Sequence, residues 1–131
     1  MSLQVQLVSP ERILYEGEAD MVIARTLGGG DIAFLTGHEP FLGALRNWPV
    51  KLVLTGGGEQ YIAVHGGFVQ LDHDRAIILS DVAELPVDID VPRAQAAKER
   101  AEAALRDNPD SEEAQTALER ATVRLEVATA A

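Results

Sequence analysis

Hydrophobic and polar positions along the chain follow two different rhythms. From Leu3 to about Leu85, short apolar runs are cut apart by glycine, proline and acidic residues. Leu3, Val5 and Leu7 alternate with Gln4, Gln6 and Val8, and similar runs occupy Asp20 to Leu27, Val50 to Thr55, Gln60 to His65 and Arg75 to Ser80. Alternation with period two places successive side chains on opposite faces of a strand, so this part predicts nine or ten short strands in a sandwich or barrel. The breaks suit turns. Gly28, Gly29 and Gly30 permit positive φ, Gly56 to Glu59 reads as a hairpin loop, and Asp72, His73 and Asp74 form a polar turn between apolar runs.

Beyond Asp88 glycine disappears, alanine becomes frequent and apolar residues recur at helical spacing. The boundary falls near residues 86 to 89, giving a strand-rich part over 1–86 and a helical part over 87–131. Asp90 is placed to cap a first helix, with Pro92 tolerated in its first turn, and that helix runs to about Arg106. Asp107, Asn108 and Pro109 break it. Asp110 with Glu113 resembles a capping box opening a second helix to about Thr129. The fold class is therefore α+β, a β-sandwich followed by a two-helix antiparallel hairpin.

Ala94, Ala97, Ala101 and Ala104 form a narrow stripe on the first helix, and Ala114, Leu118, Ala121, Leu125 and Ala128 follow a heptad-like rhythm on the second. Small residues let helices approach closely but bury little apolar area, at about 25 cal/mol per Å². The hairpin is expected to be held weakly and to form a mobile tail.

Composition narrows the function. Over 131 residues, 47% are hydrophobic and 24% charged, ordinary globular proportions, while aromatics at 5% leave the packing to aliphatic side chains and alanine. The net charge of -10 repels phosphate backbones, so nucleic acid is not an expected partner. Without cysteine there is no disulfide, thiolate site or thiol redox chemistry. The opening residues Met1 to Glu11 show no secretory signal, and no apolar run approaches the roughly 20 residues that cross a bilayer.

Candidate chemistry is sparse. His38, His65 and His73 sit in unrelated turns or strand ends and read as ordinary turn histidines. Gly28 to Gly30 and Gly56 to Gly58 lack the lysine and hydroxyl of a phosphate loop. Glu39, Asp72 and Asp81 read as solvated turn residues, and no serine sits in a nucleophile elbow, so no catalytic residue is expected. Arginine placement is more informative. The first 89 residues hold 5 of the 11 basic residues and the last 42 hold 6. Arg93 and Arg100 lie seven apart on the first helix, and Arg120 and Arg124 four apart on the second. A folded hairpin could converge four guanidiniums on an anion, for which forked donors suit phosphate oxygens. The alternative is that Glu99, Glu102, Glu119 and Glu126 neutralise solvated arginines.

Several stretches resemble one family. Leu3-Gln4-Val5-Gln6-Leu7-Val8-Ser9-Pro10-Glu11, then Gly30-Asp31-Ile32-Ala33-Phe34-Leu35-Thr36-Gly37-His38-Glu39-Pro40, and the paired glycines of Val64-His65-Gly66-Gly67-Phe68 are similar to the epsilon subunit of bacterial F-type ATP synthases. Ala33 departs from the pattern, where many members carry glycine. The resemblance implies a ten-stranded β-sandwich with a helical hairpin, docked on the gamma subunit and on the c-ring of the membrane sector. It also implies helices that reach the alpha and beta subunits when extended. A place on the cytoplasmic face of the bacterial plasma membrane, peripheral and held only through the complex, follows from the same likeness. By it, Asp31, Thr36, His38 and Glu39 are candidate c-ring contacts.

Ile89-Asp90-Val91-Pro92-Arg93-Ala94 further resembles the I-D-x-x-R-A signature of members whose folded hairpin binds ATP. Carried over residue by residue, Glu84, Ile89, Asp90, Arg93 and Ala94 surround the adenosine side, and Arg100, Arg120 and Arg124 approach the phosphates. ATP is then a regulatory ligand and no cofactor is required. The competing expectations are a free-standing ATP-binding sensor module and a small β-sandwich metalloenzyme using one of the three histidines.

Overall fold

A computed structural model describes residues 2–130. Nine strands, β1 (Leu3–Val8), β2 (Ile13–Arg25), β3 (Asp31–Leu35), β4 (Phe41–Ala44), β5 (Asn47–Leu54), β6 (Glu59–His65), β7 (Phe68–Asp72), β8 (Arg75–Leu79) and β9 (Ala83–Glu84), precede the helices α1 (Val91–Asp107) and α2 (Glu112–Ala130). The strands run in the order β4-β7-β8-β1-β2-β5-β6-β9, with β3 on β2. A single-residue pairing of Thr26 with Leu45 is too short to count as a strand, so the described residues hold nine strands where the family likeness implied ten.

β2 organises the sandwich. Its first half pairs with β1, its second half with β3, and its opposite edge with β5. The run expected from Asp20 onward is only the second part of this 13-residue strand. In its first part Gln6 donates to Glu16 at 3.0 Å and Gln4 to Glu18 at 2.8 Å across the β1–β2 ladder. Inward residues follow the alternation. Leu3, Val5 and Leu7 are buried with Val22, Phe34, Leu52, Ile62, Val64, Val69, Leu71 and Ile78 in one apolar cluster.

Asp90 caps α1 as its sequence implies, its side chain accepting from the Arg93 backbone N–H at 3.1 Å. The cap of α2 is displaced by one residue. Ser111 Oγ accepts from Ala114 N at 3.2 Å, while the Asp110 N–H is turned to Asn108 Oδ1, so Ser111 and not Asp110 opens the helix. The alanine stripe is only half used, since Ala94 and Ala101 are buried and Ala104 is exposed. A second face of α2, unread in the sequence, packs Val123 and Val127 against Ala63 of β6 and Ile89 of the linker. The hairpin is thus held by α2 lying on β5 and β6, with α1 riding on α2.

Candidate functional site

At the junction of sandwich, linker and hairpin lies a cavity of about 340 Å³. The linker and the end of the sandwich contribute Glu84, Asp88 and Asp90, and the helices contribute Arg93, Ala94, Ala97, Arg100 and Arg124. Six of the eight expected nucleotide-binding residues therefore meet here: Glu84, Asp90, Arg93, Ala94, Arg100 and Arg124. Ile89 does not line it, because its side chain points into the apolar cluster of Ala63, Val123 and Val127. Arg120 also lies outside the lining, although its charge reaches His65. Asp88 also lines the cavity, although an acid before the I-D-x-x-R-A run carries no local signature.

The arginines are not equivalent. Arg124 Nε donates to Glu84 Oε1 at 2.6 Å, with both side chains about a quarter exposed. Arg93 and Arg100 make no ion pair among the described residues. An anion entering the cavity meets these two directly and competes with Glu84 for the third.

His65 is no turn histidine. At the end of β6 its side chain is fully buried, and Nε2 sits 3.1 Å from the same Glu84 Oε1. A carboxylate only accepts, so Nε2 carries the proton and the neutral ring leaves Nδ1 a bare acceptor, buried without a partner among the described residues. Burial, above all, pushes the His65 pKa below its ordinary 6.5, with the charges of Arg124 and Arg120 acting in the same direction against the Glu84 carboxylate. A histidine that resists protonation when folded binds its proton first in the unfolded chain. Its stability contribution is therefore intact above about pH 6.5 and declines as pH falls through that value toward the folded pKa. Unfolding midpoints at pH 7.5 and 5.5 are expected to differ more in the wild type than in His65→Gln, and equal differences would refute this.

The second expected site divides in two. Thr36, His38 and Glu39 share the turn after β3, where Gly37 has φ +86° and the His38 N–H donates to Leu35 O at 3.1 Å. The His38 ring packs edge-on to Phe34 with centroids 5.2 Å apart, and its Nδ1 lies 2.7 Å from Glu39 O. Thr36 Oγ1 is buried without a hydrogen-bond partner among the described residues. Asp31 stands at the other end of β3, about 13 Å away at ~3.3 Å per residue, and pairs with Arg25 at 3.1 Å. Arg25 in turn covers the Trp48 ring at 3.7 Å.

Residues 2–86 match the family described as ATP synthase, Delta/Epsilon chain, beta-sandwich domain, and residues 88–129 match its long alpha-helix domain. The chain belongs to the ATP synthase delta/epsilon family. Members similar to it are named ATP synthase epsilon chain. That of Halalkalibacterium halodurans is 43% identical, with 97% of each chain covered, and that of Brevibacillus brevis is 47% identical over 76% of this chain and 75% of its own. The fold also resembles a chain in the Euglena gracilis mitochondrial ATP synthase, with TM-score 0.80, 22% identity, and coverage of 98% of this chain and 81% of that one. Delta/epsilon membership accounts for the sandwich and the two helices. The ligand of the cavity and the contacts of the β3 turn are a separate matter.

Proposed function

We propose that the chain is a non-catalytic, epsilon-type central-stalk subunit of a proton-translocating F-type ATP synthase. In this reading the sandwich is a rigid element docked on gamma and, through Asp31 and the turn carrying Thr36, His38 and Glu39, on the c-ring, so that it turns with the rotor. The hairpin of residues 87–131 is the regulatory part. Folded, it binds ATP; extended along gamma toward alpha and beta, it blocks rotation and restrains wasteful hydrolysis. The subunit sits on the cytoplasmic face of the plasma membrane, held there by the complex alone.

The observation that carries the regulatory reading is the cavity where Arg93 and Arg100 of α1 and Arg124 of α2 face Glu84 and Asp90. Its arginine wall exists only while the two helices are folded together on the sandwich. A ligand bound there has no equal affinity for the extended form, and that difference is what shifts the balance. The three guanidiniums supply forked donors for phosphate, and the acidic linker supplies acceptors for the hydroxyls and amino group of adenosine.

Calorimetric titration of the purified chain with ATP and magnesium tests this. Saturable binding at one site is expected. Arg93→Ala should weaken it about tenfold or more by removing a charge-assisted contact, and it leaves the α1 cap in place because only the backbone of Arg93 engages Asp90. Absence of binding at millimolar ATP would reduce the hairpin to an element governed by rotation and its neighbours.

A further inference from the structure

Glu84 is held by one oxygen from two directions. Arg124 Nε of α2 and His65 Nε2 of β6 both donate to Oε1, at 2.6 and 3.1 Å. The three side chains belong to three elements, and two of them, Glu84 and Arg124, form part of the cavity wall. His65 stands behind them with a fully buried side chain and takes no part in the lining. Glu84, Arg124 and Arg120 are the charges whose fields bear on its ring.

We infer that His65 is a positioning residue of the nucleotide cavity, acting through Glu84 to set where Arg124 lies and how firmly it is held. The donor on Nε2 fixes the Glu84 carboxylate against the sandwich, so that the carboxylate cannot follow Arg124 or swing across the cavity. It also draws part of the acceptor strength of Oε1, and so moderates the grip on Arg124. With an apolar residue at position 65, Oε1 has Arg124 as its single remaining partner. The pair then collapses into a tighter, less oriented contact, and a phosphate that must take Arg124 from Glu84 binds less well. His65 touches no ligand in this scheme. The inference rests on the ATP reading only for its effect on affinity, and the placement of Glu84 and Arg124 is independent of any ligand.

His65→Leu removes the donor at comparable volume, whereas His65→Gln restores an N–H near the position of Nε2. Nitrogen NMR of the wild type should show the Nε2–H tautomer of His65, and finding the Nδ1–H tautomer overturns the proposal. In ligand-free protein, exchange of the Arg124 Nε–H with water should change in the leucine variant and return to the wild-type rate in the glutamine variant. ATP should bind His65→Leu about tenfold more weakly, as for loss of one hydrogen bond to a charged group, and His65→Gln within about twofold of wild type by the same measure. Thermal midpoints of both variants establish that they fold. If both fold and leucine leaves the Arg124 exchange and ATP affinity unchanged, or glutamine fails as leucine does, His65 has no positioning role. If the wild type fails to bind ATP while the exchange pattern holds, the nucleotide reading falls and the positioning of Arg124 stands.

Discussion

Gly67→Ala is expected to destabilise the sandwich by roughly 4 kcal/mol or more, at the severe end of single substitutions. Gly67 has φ +112°, a conformation that side chains rarely adopt, and a Cβ added there would overlap the carbonyl oxygen of Leu79 and lie 3.0 Å from Ser80 Cα. The obstacle is backbone, which cannot rotate aside. Nor is it free to shift. Gly67 O accepts from Leu45 N at 2.8 Å, Ser80 N donates to Val8 O at 3.0 Å, and Ser80 Oγ lies 2.9 Å from both Gly66 O and Val82 O. Movement would therefore strain β7, β8 and the start of β9 together, and would reach His65, whose N–H donates to Val82 O. Gly66→Ala is the natural comparison. It sits at φ +78° with Asn47 Oδ1, at 3.9 Å, the nearest atom to an added Cβ, so left-handed strain of about 1–2 kcal/mol is all it should cost. Denaturant unfolding of the two variants checks both values. A Gly67→Ala midpoint no lower than that of Gly66→Ala would show that the close approach relaxes.

The contrast between the two glycines also marks how far sequence reading reaches. That Gly66-Gly67 forms a strand junction is implied by the family likeness of Val64-His65-Gly66-Gly67-Phe68. That only the second of them abuts another strand depends on Leu79, twelve positions along the chain and set opposite by the β7–β8 ladder. The same division runs through the molecule. Local signals succeed: the alternation of β1, the Asp90 cap and the change of period after Asp88 all appear where expected. Local signals also mislead where two compete, as at Asp110 and Ser111, both able to cap. Arg93 and Arg100 meet at the cavity because their seven-residue spacing keeps them on one face of α1, whereas Arg120, four residues before Arg124 on α2, lies outside the lining. The partnership of His65 with Glu84, 19 residues away, and of Glu84 with Arg124, 40 residues away, has no such spacing rule and becomes visible only once β9 and α2 are placed beside β6.

Val127→Asp should detach the helical hairpin while leaving the sandwich folded. The alanine seam expected to hold the hairpin loosely joins α1 to α2, but the attachment to the sandwich is a different contact. Val123 and Val127 pack with Ala63 and Ile89 in a cluster separate from the main core. Two polar contacts flank it, Asn47 Nδ2 to Glu119 Oε2 at 3.2 Å and Arg124 to Glu84 at 2.6 Å. Burying Ile89, Val123 and Val127 contributes about 1.5–3 kcal/mol each before the cost of ordering is subtracted. A carboxylate at position 127, where the valine is fully buried, would carry a desolvation penalty of several kcal/mol in this apolar setting. The penalty is comparable to the whole attachment, so release of α2 is the cheaper outcome. Because α1 rides on α2, both helices leave together. Most of the stability of such helices comes from tertiary packing, which release removes. Hydrogen exchange should then show residues 91–130 losing protection while β1, β2 and β8 keep theirs, and ATP binding should vanish because Arg100 and Arg124 no longer face Glu84. Ala104→Asp, on the exposed end of the alanine stripe, should leave exchange and binding as they are. If instead Val127→Asp kept the hairpin protected and Ala104→Asp released it, the seam between the helices would be the true attachment, and the valine face of α2 a passenger.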